Sequence, residues 1–367
     1  AGMVVLGGVT RLTGSGLSMV KWRPTGILPP GNQAAWEKEF EEFKEYPEWI
    51  MKRQYENFGV EDFKFIWFME WSHRMAGRCV GFAFAVPLTY FAARGYVDRA
   101  LAARLGLLFC MGGTQGLVGW WMVKSGLQKD ALNVEEAETW QMNTQFSAVS
   151  PYRLTTHLSS ALAIYSLLLW TALGLLDKRR LATASTSASK NVANLQRFVK
   201  VALATAGLTA ASGGFVSGNH AGLAYNDWPF MGYPNFIPND WWEEKLGWRN
   251  MFENIPTVQL NHRALAYSTA TAAAVSLLWV RSLPLPARVR TAAHLVGAMV
   301  CVQITLGVST LWLHVPIEVA APHQFGSVVL LTTFLWLLHT LRPAAGGYKK
   351  FSKLSQTLAK NMPRHAY

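Results

Sequence analysis

Apolar residues gather along this chain in stretches of about twenty, at 67–92, 105–123, 154–176, 201–216, 258–280, 291–312 and 322–341, with polar and charged residues lying between them. An α-helix rises about 1.5 Å per residue, so each stretch approaches the length needed to cross a hydrocarbon layer roughly 30 Å thick. Residues 1–10, Ala-Gly-Met-Val-Val-Leu-Gly-Gly-Val-Thr, share this character and predict the last turns of one more span. The expected fold class is an all-α integral membrane protein of eight transmembrane helices, the first truncated.

Charge gives these spans a direction. Segments 93–104, 177–200, 281–290 and 342–367 hold 18 Lys and Arg against two acids, Asp98 and Asp177, whereas the alternate segments hold 13 against 19. Cationic loops stay on the side from which helices insert, so the first set is expected to face the inside. The net charge of +12 is then a topology signal. The basic tail, with Lys349, Lys350, Lys353 and Lys360, is read as contacting anionic headgroups rather than nucleic acid. Composition agrees: 51% of residues are hydrophobic and 15% charged, against about 25% charged in soluble domains. Disorder, fibres and a secreted disulfide scaffold are excluded. Cys79, Cys110 and Cys301 each lie alone in an apolar stretch, so any cofactor needs other ligands.

The chain also resembles itself. Gly7-Gly8, Gly16-Leu17 and Trp22 match Gly213-Gly214, Gly222-Leu223 and Trp228 at a constant offset of 206. Further on, Glu70-Trp-Ser-His73-Arg74 echoes Gln259-Leu-Asn-His262-Arg263, and Gln115-Gly-Leu-Val-Gly119 echoes Gln303-Ile-Thr-Leu-Gly307. A duplicated four-helix unit predicts four parts: an N-terminal half at 1–176, an inner linker at 177–200, a C-terminal half at 201–341 and a basic inner tail at 342–367. The charged, aromatic segment 36–64 is expected to form a folded outer cap.

Candidate chemistry lies in the few polar residues within spans. Only Glu70, Arg74, Arg78 and Arg263 place charge there, where an ionisable group costs about 2.5–3.5 kcal/mol unless partnered. His73 and His157, like His262 and His323, are expected at one depth on facing helices. Four-helix bundles bind haem in this way, one axial imidazole from each of two helices. A metal centre of another kind, or histidines merely hydrogen-bonded between helices, are the alternatives. Arg74 and Arg263 suit haem propionates, with snorkelling to headgroups as the alternative. Glu70 faces Gln259 in the repeat, so only one pocket has a carboxyl. It is read as a proton carrier or as the i,i+4 partner of Arg74. Gln115 and Gln303 are read as helix-packing residues. His220, His294, His314, His339 and His365 are assigned solvated or interfacial roles, His220 close to the second pocket.

Gly-Gly-Val-Thr-Arg-Leu-Thr-Gly-Ser-Gly-Leu-Ser at 7–18, Glu-Trp-Ser-His-Arg at 70–74, Gln-Gly-Leu-Val-Gly-Trp at 115–120, Tyr-Arg-Leu-Thr-Thr-His-Leu at 152–158, Asn-His-Arg at 261–263 and His-Gln at 323–324 together resemble the haem A synthase family. The resemblance covers nearly the whole chain. It is closest to the mitochondrial and alphaproteobacterial branch, which lacks a cysteine pair in the outer loops. Gly14 stands where many relatives in that branch have Glu. The resemblance implies eight spans in two similar halves and oxidation of the C8 methyl of haem O to a formyl group by successive O2-dependent hydroxylations, for cytochrome c oxidase assembly. It further implies a resident haem B on His262 and His323, substrate haem O between His73 and His157, and Glu70 as the acid of the site. Electrons are expected from ferredoxin and its reductase. Haem O synthase and oxidase assembly factors are the expected partners, with a homo-oligomer open. The location implied is the mitochondrial inner membrane, or a bacterial plasma membrane. A two-haem electron-transfer cytochrome and a haem-delivery chaperone are the competing functions.

Overall fold

A computed structural model describes residues 1–19, 21, 23, 25–127, 149–176 and 186–342. Among these residues there are helices and loops but no strand. The helices are α1 (Gly2–Leu12), α2 (Gln33–Lys44), α3 (Pro47–Met51), α4 (Val60–Ala93), α5 (Arg99–Gly126), α6 (Pro151–Leu176), α7 (Thr186–Gly218), α8 (Ile255–Ser282), α9 (Ala287–Trp312) and α10 (Ile317–Thr340), with short helical turns in the loops. Six are long and apolar enough to cross a membrane: α4, α5, α6, α7 from Lys190 onward, α9 and α10. The chain is therefore an all-helical, multi-pass integral membrane protein.

The expected count of eight exceeds these six for identifiable reasons. Helix α1 has 11 residues, about 16 Å of rise. Helix α8 has 28 residues, but Thr257, Gln259, Asn261, His262, Arg263, Ser268 and Thr269 interrupt its apolar surface. The inner linker also ends earlier than expected. Helix α7 begins at Thr186, because Val192, Leu195, Val199, Ala202 and Ala206 recur at helical spacing and are buried in the core. The rest of that linker, 177–185, and the tail beyond Arg342 lie outside the described residues.

Segment 36–64 folds as a cap on the first turns of α4. The Asn32 side chain accepts from the Ala35 amide and starts α2. Trp36, Phe40 and Phe43 then fall on one face and pack with Phe63, Ile66 and Trp67, all nearly inaccessible. Burying each such ring contributes about 1.5–3 kcal/mol, so the cap carries its own core.

In the second half α7 packs on α8, α8 on α9, and α10 on both α9 and α7. Val280, Val289, Ala292, Val296, Phe334 and Leu337 form the dense core between them. The first half is more open: α1 contacts α4, α4 contacts α5, and α5 contacts α6, while the buried residues of α4 stop at Glu70. The two sets are joined where α6 lies against α7 and α10, and α1 against α10. Gln324 donates to the Val4 carbonyl at 3.0 Å beside Gly8, where a Cβ would collide with its amide.

Candidate functional site

Each of the four candidate histidines rests against a glycine of a neighbouring helix. A Cβ built on Gly7 of α1 would lie 3.1 Å from His73 Nε2, and one on Gly213 of α7 would lie 3.5 Å from His262 Cε1. On the other two helix pairs, a Cβ on Gly119 would lie 2.9 Å from His157 Cε1, and on Gly307 3.0 Å from His323 Cε1. Glycine thus gives each flat ring room beside the neighbouring backbone. All four rings are half-buried. His73 and His157 lie within electrostatic reach of one another, as do His262 and His323.

Glutamines brace the rings on α6 and α10. Gln115 Nε2 donates to the His157 carbonyl at 2.8 Å and lies 3.1 Å from its Nδ1. Gln303 repeats this on His323, at 2.8 and 3.2 Å. The packing role expected for these glutamines is therefore incomplete: each is bound to a candidate ligand. The copies differ one turn on, where the Ser160 hydroxyl pairs with Gln115 Oε1 while Gly326 leaves Gln303 Oε1 buried without a hydrogen bond.

Glu70 and Arg74 form the i,i+4 ion pair, 2.6 Å apart, with the carboxylate buried. The same guanidinium donates to the Met19 carbonyl at 2.8 Å and the Lys21 carbonyl at 3.3 Å. Arg78 holds the Arg23 carbonyl at 2.6 Å, and Trp71 the Ile27 carbonyl at 2.7 Å. Helix α4 thereby straps the loop after α1 onto itself. A small cavity remains there, lined by Lys21, Arg23, Arg74 and Arg78 with Met19, Ile27, Trp71 and Met75.

The second half has the same strap in other residues. Arg263 donates to the carbonyls of Tyr225 (2.8 Å), Asp227 (3.0 Å) and Phe230 (2.7 Å), and to Gln259 Oε1 (3.0 Å). Tyr267, at the register of Arg78, accepts from Trp228 Nε1 at 3.0 Å. Arg263 Nε is buried without an acceptor. Tyr225 anchors the strap's far side on Asp240; burial first, and that bond second, push the phenol up to about 12, so it remains a donor at neutral pH.

Removing one partner of the Glu70–Arg74 pair should be costly. Arg74→Met strands a buried carboxylate and frees the strap, an expected loss of roughly 3–5 kcal/mol that thermal unfolding in detergent would read. Adding Glu70→Gln should recover part of it. Equal melting of the single and double variants would refute the pairing.

Two residues depart from what the sequence leads one to expect. His339, expected to be solvated or interfacial, is buried and meets Trp170 edge to face at 5.4 Å, because α10 is enclosed by its neighbours at this end. Ser212 was not singled out. Its hydroxyl donates to the Thr209 carbonyl at 2.8 Å and lies 2.7 Å from His262 Nδ1. The 206-residue offset could have found it, since it aligns Ser212 with Leu6. His220, placed near the second pocket, meets Arg11 of α1 at 3.1 Å.

Among the described residues no three His, Cys, Asp or Glu side chains gather as a metal cage. The donors on offer are imidazoles in pairs. That set suits a metal whose equatorial ligands come from a planar macrocycle, and the glycine seats suit flat rings, so the residues fit haem.

The fold and site define an all-helical integral membrane protein with two imidazole pairs inside its bundle. The chain matches the family model described as "Cytochrome oxidase assembly protein" (COX15-CtaA) over residues 1–335. Heme A synthase COX15 of Arabidopsis thaliana is 43% identical over 366 residues, covering 99% of this chain and 74% of the relative. The Bos taurus protein of that name is 42% identical over 343 residues, 93% and 79% of the two chains. Heme A synthase of Nitrosospira multiformis is 41% identical over 341 residues, 93% and 89%. The chain belongs to the COX15-CtaA family of cytochrome oxidase assembly proteins.

Proposed function

We propose that this chain is a haem A synthase, oxidising the C8 methyl of haem O to a formyl group by two successive hydroxylations, after which the geminal diol loses water. The observation that carries this reading is the repeated seat, an imidazole on a glycine, occurring as one pair in each half of a chain from this family. The second half, with its dense core, holds a resident haem B on His262 and His323. The more open first half takes the exchangeable haem O between His73 and His157. Eight spans in two similar four-helix halves, 1–176 and 201–341, account for the matched seats, glutamine braces and straps. Segment 177–200, which includes the first turns of α7, and the tail at 342–367 then face the matrix or cytoplasm, and the pockets lie toward the opposite face. Relatives from eukaryotes and bacteria match at nearly equal identity, and the membrane is read as the mitochondrial inner membrane or a bacterial plasma membrane.

When bound, the irons supply the redox chemistry, drawing on O2 and on electrons delivered by a ferredoxin. The chain's own residues orient and protect. Glycines set each ring's distance from the next helix. Arg74, with Lys21, Arg23 and Arg78, offers cationic groups for carboxylates at the substrate's edge, and Arg263 offers its unpaired Nε in the second pocket. Glu70, one helical turn from His73, is placed to move protons at Oε1 or Oε2, a task Gln259 has no means to perform. The two straps shield the pockets from bulk water.

Pigment extracted from purified protein tests the reading. Haem B together with haem O, its hydroxymethyl derivative or haem A is expected; haem B alone would indicate an electron-transfer cytochrome, and haem O unchanged on turnover a delivery protein. Glu70→Gln should stall the second oxidation and accumulate the hydroxymethyl haem. Unchanged product composition in that variant would show that the carboxyl is not catalytic.

A further inference from the structure

The two imidazoles that face α1 and α7 are held differently. Ser212 sends its proton to the Thr209 carbonyl, so its oxygen is free to accept from His262 Nδ1–H. That contact fixes Nδ1 as the protonated nitrogen and leaves the Nε2 lone pair available, the tautomer a metal-binding histidine needs. Thr209 is itself tied across to α8, its hydroxyl 2.8 Å from Thr269 Oγ1 and 3.1 Å from the Leu265 carbonyl. The orienting group is thus anchored to the helix that carries His262.

At the matching register in the first half stands Leu6, which has no hydrogen bond to offer. Among the described residues, no hydrogen bond orients His73; burial and the charges of Glu70 and Arg74 define its surroundings. Its ring is also turned. The atom nearest its glycine is Nε2, whereas in the other three seats it is Cε1.

We infer that Ser212 is a positioning residue that keeps His262 as a permanent iron ligand, and that Leu6 in its place leaves His73 as the one imidazole free to let go. This rests on the proposed function, which needs an open coordination position in one pocket and a closed one in the other. The difference between Ser212 and Leu6 assigns the opening to the first pocket and to His73, the ring that no hydrogen bond orients among the described residues.

The test uses the full chain purified with its pigment and reconstituted with haem O, as wild type, Ser212→Ala, Ser212→Thr and Leu6→Ser. The readouts are low-spin haem signals, midpoint potential, haem retained on gel filtration, and carbon monoxide binding to the reduced protein. Ser212→Ala should raise the second haem's potential, since its ligand becomes less basic, and weaken its retention by roughly ten- to a hundredfold. It should also admit carbon monoxide to that haem, and Ser212→Thr should reverse these effects. Leu6→Ser should give His73 a partner and weaken carbon monoxide binding in the first pocket by about tenfold. If Ser212→Ala does not fold, Leu6→Ser decides alone. Haem present but potential, retention and carbon monoxide binding unmoved in every variant would overturn this inference and leave the proposed function standing. Wild-type protein that binds no haem would overturn both.

Discussion

Replacing His262 by alanine is expected to strip the resident haem from the purified protein and reduce haem A formation below detection. Replacing His73 should stop product formation while the second half's pigment remains. The two variants differ because their pockets do. Along the helix that carries His262 the buried face continues past the ring, through Arg263, Thr269, Ala273 and Ser276, and the ring is anchored through Ser212. Around His73 the buried surface of α4 ends one turn before the ring, at Glu70. Difference spectra and pyridine haemochrome analysis of both variants would check this. Equal pigment loss from the two would mean that the halves are not specialised in the proposed way.

Gly307→Ala is expected to strengthen a helix and empty a pocket at once. Alanine is favoured over glycine inside helices by about 0.8–1 kcal/mol, so α9 alone should gain. Its Cβ, however, would sit 3.0 Å from His323 Cε1, and Gly119→Ala would press on His157 at 2.9 Å. Overpacking of this kind costs about 1–3 kcal/mol, which at tenfold per roughly 1.4 kcal/mol predicts pigment occupancy falling by about five- to a hundredfold. Haem content measured beside helix content by circular dichroism separates the two effects. Full occupancy in both variants would remove the role given to the glycine seats.

Much of this arrangement was legible in the sequence because the bilayer imposes a simple rule: apolar runs become helices, and the ionisable residues left inside them have a reason to be there. Glu70, Arg74 and Arg263 were identifiable on that ground alone. The internal similarity of the sequence pairs Gly7 with Gly213 and Gly119 with Gly307, the four glycines that meet the rings. What stayed hidden depended on packing across helices. Val192, Leu195 and Val199 read as linker beside a Ser- and Thr-rich segment, yet they extend α7 because the second half's core covers them. His339 read as an interfacial residue until Trp170 from another helix closed over it. Ser212 is an ordinary serine in a span, and only its distance to Nδ1 reveals its work. The arginines were seen as anion anchors, whereas most of their hydrogen bonds go to loop carbonyls.

That preference of the guanidinium groups for main-chain oxygen has an evolutionary corollary. A carbonyl is the same whatever residue bears it, so the rim above each ring pair can change its side chains while the polypeptide keeps its path. One rim carries Lys21, its carbonyl held by Arg74, and the other Asp227, its carbonyl held by Arg263. The two rims are therefore free to differ in electrical character, a cation on one and an anion on the other, while the main chain above the rings keeps its path.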